Sequence, residues 1–158
     1  MRNLLALSAL TALCTLGACS GHSKSQELAA SDARDVLINR NWLDRMPEST
    51  KDRLHVYRFV PNMGGGVYQD RTLFKGTFEL FLFKAEGDQL VFNLPETHEK
   101  VTSPYKIERV SGPAPFDLKL TITNDPRGPH EYYGMRSETD TDGHVLEQAL
   151  AAKRAAVE

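Results

Sequence analysis

Five histidines (His22, His55, His98, His130, His144) and two cysteines (Cys14, Cys19) are the residues of this 158-residue sequence best suited to metal or nucleophilic chemistry. A structural or catalytic zinc site draws three or four such donors from short, fixed spacings. No two histidines here stand at the spacing of a helical metal motif. A site from His130, Glu131 and His144 would depend on the fold to assemble it, and solvated loop histidines are the ordinary reading. No Gly-x-Ser-x-Gly elbow is present, and Ser111-Gly112-Pro113 reads as a turn. The run MGGGV lacks the Lys-Ser/Thr of a phosphate loop, so Gly64, Gly65 and Gly66 read as a hairpin or barrel-rim loop. Asp140 and Asp142 in TDTDG hint at calcium, but the closing glutamate of the twelve-residue loop is missing, since residue 151 is Ala. A helix-start turn is the better reading there. No catalytic set, metal set or cofactor motif comes together.

The cysteines point elsewhere. Arg2 precedes an uncharged run from residue 4 to 18, too short to cross a bilayer comfortably and suited to the apolar core of an export signal. Leu16-Gly17-Ala18-Cys19 resembles the lipobox of bacterial lipoproteins. The resemblance implies cleavage before Cys19, a diacylglycerol on its thiol and acylation of the new amine. More than one acyl chain makes anchoring stable, at about 0.8 kcal/mol per buried methylene. Ser20 in place of an aspartate implies, by the same resemblance, passage to an outer membrane. Cys14 would leave with the signal and Cys19 would be blocked, so the mature domain would carry neither disulfide nor free thiol.

These boundaries give a signal over 1–18, a lipidated tether over 19–30 and a single domain over 31–158. That length supports one hydrophobic core. Lys plus Arg number 19 and Asp plus Glu 21, and no basic run exceeds two residues, which argues against a nucleic-acid partner.

The domain reads as mainly β. Ser31 would cap a short helix with Asp32 in its first turn, and Val36, Leu37 and Trp42 would pack onto the body until Pro47 stops it. From Leu54 the period becomes two. LHVYRFV sets Leu54, Val56 and Val60 on one face and His55, Tyr57 and Phe59 on the other. In TLFKGTFELFLFKAEGD, Phe74, Phe78, Leu80 and Leu82 share a parity, and Gly87-Asp88 turns into QLVFNLP. VYQDR, SPYKIERV, FDLKLTIT and HEYYGMRSE are further strands, and GHVLEQALAAKRAAVE is a helix carrying Leu146 and Leu150 on one face. Roughly seven antiparallel strands with short connections favour a meander closed into a barrel.

A Trp near the domain start, Gly-bearing hairpins and a C-terminal helix resemble the lipocalin-like, or calycin, barrels over about residues 37–150. The usual Gly-x-Trp is replaced by Arg40-Asn41-Trp42. FDLKLTITNDPRGP and YYG are also similar to small exported bacterial proteins of lipocalin-like type. The resemblance implies that Trp42 packs at the closed end and that the interior holds an apolar ligand. Among the residues themselves, Phe74, Phe78, Phe92, Tyr132, Tyr133 and Arg136 are the candidates to surround such a ligand, and Tyr132 and Tyr133 next to Arg127 and Arg136 read equally as a polar entrance or as solvated strand-end pairs. Both parities of TFELFLF are apolar, so one face should be the interior while the other needs cover, for which the C-terminal helix is the first candidate. Three functions stay open. They are a membrane-anchored envelope protein binding a small apolar or amphipathic ligand, a solid-barrel lipoprotein binding an envelope protein, and, last, an enzyme.

Overall fold

The computed structural model describes residues 25–138 and 144–156. The signal segment, Cys14, Cys19, His22 and the Asp140/Asp142 turn lie outside the described residues.

Among the described residues nine strands form one antiparallel sheet: β1 (Gln26–Glu27), β2 (Asn41–Leu43), β3 (Leu54–Val60), β4 (Gly65–Arg71), β5 (Gly76–Glu86), β6 (Gln89–Leu94), β7 (Glu99–Arg109), β8 (Leu118–Ile122) and β9 (Glu131–Gly134). Strands β2 to β9 pair in chain order, and the Leu43↔Tyr133 contact of β2 with β9 closes an eight-stranded barrel. The architecture is consistent with a lipocalin or calycin type of barrel. β5 pairs with β4 through Gly76–Phe81 and with β6 through Leu82–Glu86, so the wall hands over from one neighbour to the other at mid-strand. β1 extends the wall past the start of β6 by pairing Gln26 with Arg109 and Glu27 with Glu108.

Two helices finish the body. Helix α1 (Ala30–Leu37) buries Ala33 and Leu37 in the same cluster as the barrel interior and closes one end. Helix α2 (His144–Ala155) buries Leu146 and Leu150 outside the barrel, with Leu43, Leu54, Val56, Leu73 and Phe116. Arg71 bonds Glu147 at 2.7 Å, and Arg154 bonds the Leu73 carbonyl at 2.9 Å, fixing the helix to the β4–β5 turn.

Several local expectations are corrected. Strands outnumber the expected seven because Gln26–Glu27 and Asn41–Leu43, read as tether and helix, find pairing partners that lie far away in sequence. Trp42 is therefore a strand residue. Ser31 is not the cap: the helix starts two residues earlier than a Ser31 cap would place it, Ala29 occupies the cap position, and the Ser31 hydroxyl faces Asp32 at 3.3 Å. Only Gly64 of the glycine run has left-handed φ, at 77°. Gly66 sits in β4, where a Cβ would lie 2.4 Å from Phe81 Cζ and 2.6 Å from the Arg58 carbonyl oxygen. Finally, α2 covers the β2–β3 side and leaves the outer face of β5 in the open.

The placement of α2 sets a stability expectation. Leu150 is fully buried, and Leu150→Ala should cost about 2–4 kcal/mol in urea unfolding, with an unchanged m value. A loss below about 0.5 kcal/mol, the range of an ordinary surface change, would contradict the packing of α2 on the barrel.

Candidate functional site

Alternation along the strands decides what the lumen contains. The inward residues of β3 are Tyr57 and Phe59, joined by Tyr68 from β4, Phe81 and Phe83 from β5, Phe92 from β6 and Tyr132 from β9. Tyr57 stands at the centre, with ring centroids at 4.9 Å from Tyr68, 5.1 Å from Tyr132, 5.4 Å from Phe59, 5.6 Å from Phe81 and 6.1 Å from Phe92. The Phe59 pair is stacked and the others are tilted or edge-to-face, all at favourable separations. Trp42 adds its ring beside Gly134 and donates its indole N–H to the Leu37 carbonyl at 2.9 Å, at the end that α1 closes. Rings occupy the barrel axis.

The buried tyrosines need partners for their hydroxyls. Asn124, with φ of 57°, opens the β8–β9 connection and brings Asp125 over the end of the barrel opposite α1. Asp125 accepts from Tyr57 Oη at 2.8 Å, Tyr132 Oη at 2.6 Å and the Arg127 amide at 2.9 Å. Burial pushes its carboxyl above the ordinary range, while these donors pull the other way. Burial also drives Tyr57, Tyr68 and Tyr132 up, so they remain protonated donors. Arg127 pairs with Glu79 and stands 5.5 Å from the Tyr68 ring centroid and 5.6 Å from that of Phe81. Burial lowers its pKa below the usual arginine value.

Outside this plug, a polar hollow of about 350 Å³ is lined by His55, Asp70, Thr77, Glu79, Glu99 and Arg127 among others. His55 Nδ1 lies 3.2 Å from Asp44, and Arg53 pairs with Asp70. The mouth is thus an ion-paired surface, with its tyrosines held as neutral hydroxyls. The described residues contain no group of three or more His, Cys, Asp or Glu placed to hold a metal. Among them no helix is long and apolar enough to cross a membrane.

The residues expected to surround a ligand do not converge. Phe92 and Tyr132 point inward as part of the ring cluster. Tyr133 faces outward against Phe116, at 6.0 Å between centroids. Arg136 is exposed beyond β9, its amide donating to Asp117 at 2.6 Å. Phe74 and Phe78 are on the outside of the barrel, 52% and 70% exposed, in line with Leu80 at 57% and Leu82 at 50%. The shared parity of Phe78, Leu80 and Leu82 is therefore the outer one, and Phe81 and Phe83 fill the interior. Arg127, read as part of a polar entrance or a solvated strand end, does stand at the mouth, whereas Asp125 and Glu79 were missed because Asp125-Pro126-Arg127 reads as an ordinary turn. The inward parity of Thr77 and Glu79, opposite to the run Phe78-x-Leu80-x-Leu82, was the available signal.

No protein-family model, curated protein or solved structure matches the chain.

Asp125 should prove the support of the plug. Asp125→Ala strips two buried hydroxyls of their acceptor and should destabilise the chain by about 2–4 kcal/mol in urea unfolding. Asp125→Asn keeps one accepting oxygen and should cost less than half as much. A pH series separates charge from shape. The folded chain binds the Asp125 proton more tightly than the unfolded chain does, so its contribution is greatest below the unfolded carboxylate value of about 4 and falls as pH rises through the raised folded value. The stability of wild type relative to Asp125→Asn should fall across that window. A difference that stays constant with pH would contradict the burial of this carboxyl.

Proposed function

We propose that this chain is an exported, lipid-anchored protein of the cell envelope, sorted to the outer membrane, whose barrel works through its outer surface. The anchor and its sorting rest on the resemblance of Leu16-Gly17-Ala18-Cys19-Ser20 to a lipobox. The outer-surface reading rests on one observation, the packing of Tyr57 against five other rings along the barrel axis. An apolar guest would have to displace at least one ring. Deleting the packing of a buried aromatic costs about 3–5 kcal/mol, comparable with the whole binding free energy of a millimolar ligand, about 4 kcal/mol. The solid barrel therefore outweighs the lumenal pocket. A second reading draws on the polar mouth, whose hollow of about 350 Å³ would suit a small, hydrogen-bonding guest.

Mass spectrometry of the full chain, purified in detergent from membranes of a bacterial host, tests both parts. The denatured mass should correspond to a chain beginning at a diacylglyceryl-modified, N-acylated Cys19, and Cys19→Ala should abolish the modification. An unmodified wild-type chain retaining residues 1–18 would overturn the anchor. The native spectrum should show the same mass as the denatured one. A stoichiometric addition lost on denaturation would overturn the solid-barrel reading in favour of a ligand-binding module.

A further inference from the structure

β5 inverts the usual sidedness in its first half. Thr77 and Glu79 face the barrel mouth, while Phe78, Leu80 and Leu82 face out, and Phe74 joins them from the β4–β5 turn. Each of these four is at least half exposed. Val67 of β4 and Pro95 lie against the same stripe, and a hollow of about 140 Å³ opens beside Leu80 and Leu82, where Gly65 and Gly66 lack side chains. Lys75 and Lys84 bracket Phe78, Leu80 and Leu82, with Glu86 beyond Lys84 at the end of the strand. A continuous apolar stripe of this kind on an otherwise charged protein marks an interaction surface.

The position of the chain's entry says what covers it. Ser25 precedes β1, which pairs with the Glu108–Arg109 end of β7 on the edge where β6 has already ended. β7 is two inter-strand spacings from β5, about 10 Å around the wall. From Cys19 to Ser25 the chain reaches at most about 20 Å when extended. By register Leu82 is level with Asn93 and Lys100, eight residues along β7 from Glu108, so the stripe runs from mid-barrel away from the entry point. A barrel lying on this face would still hold β1, two strands round the wall, about 10 Å above the surface, within reach of a lipid on Cys19. Side-chain rings and leucines flanked by lysines are also the composition that settles at a lipid interface, where the lysine heads can reach the phosphate layer.

We infer that the outer face of β5, through Phe74, Phe78, Leu80 and Leu82, lies against the lipid surface to which the chain is anchored, with the barrel axis along the membrane plane. This rests on the anchor proposed above, and the test separates the two. The lipidated full chain is reconstituted into phosphatidylethanolamine–phosphatidylglycerol vesicles with an environment-sensitive fluorophore on Phe78→Cys or, across the barrel on β9, on Glu131→Cys. Both sites are exposed, so folding is spared. Spin-labelled acyl chains should quench the fluorophore at position 78 and leave that at 131 unquenched, and Leu82→Glu in the Phe78→Cys chain should remove the quenching. Chain that sediments with vesicles but shows equal, weak quenching at both positions overturns the docking and leaves the anchor standing. Shielding at position 78 without quenching by lipid, and rising with protein concentration, also overturns it, by assigning the face to a second copy. Failure to sediment, together with an unmodified denatured mass, overturns the anchor and the docking with it.

Discussion

An antiparallel sheet of eight strands, once closed, encloses a space that side chains just fill, and the filling of that space governs the rest of this molecule. Tyr57 lies at its centre, and each neighbour follows from the need to surround that ring. Phe81 reaches in from β5 so closely that β4 has no room for a Cβ at residue 66. Tyr57 and Tyr132 among the filling rings bring buried hydroxyls, and the β8–β9 connection turns back through Asn124 to supply Asp125 as their acceptor. Arg127 then sits over the last rings and is itself paired by Glu79 from the wall. The polar mouth is a consequence of the aromatic packing beneath it.

The parts of this arrangement written locally in the sequence were legible. The two-residue period from Leu54 onward, the Gly87-Asp88 turn and the clean alternation of Phe116 to Thr123 identify strands without any knowledge of their partners. Short connections then favour a meander, and the meander closes as expected. What stayed hidden depends on distant pairing. Asn41–Leu43 is too short to announce itself as a strand and becomes one because Arg58, Tyr57 and Val56 lie alongside. Gln26–Glu27 takes its conformation from Arg109 and Glu108. The sidedness of β5 was hidden for a different reason: with both parities apolar, periodicity has no preference, and the choice is made by which ring fits beside Tyr57 and Phe59.

The candidate site was the least legible part. Of the residues expected around a ligand, Phe92 and Tyr132 lie in the interior, where they form the filling itself. Asp125 could not be singled out, since Asn-Asp-Pro-Arg-Gly-Pro has the composition of any exposed turn. Its significance comes from three donors contributed by different parts of the fold, and sequence proximity supplies only Arg127.

The outer surface divides according to what is available to cover it. The β2–β3 side is apolar through Leu43, Leu54 and Val56, and α2 returns along the barrel to bury it with Leu146 and Leu150. The end beside Phe59 and Phe83 is closed by α1. Only two α-helices are present among the described residues, and both are committed. Leu80 and Leu82 on β5 are as apolar as the leucines under α2, yet they keep at least half their surface in water. Burial of such side chains is worth about 1.5–3 kcal/mol each, which the isolated chain leaves unrealised on this face. With the anchor and docking inferred above, a stripe of this composition, two strands round the wall from β7, would convert that unrealised stabilisation into an orientation. An anchor alone would leave the barrel free to tumble over its tether; anchor and stripe together would fix which side meets the surface and turn the polar mouth to lie alongside it.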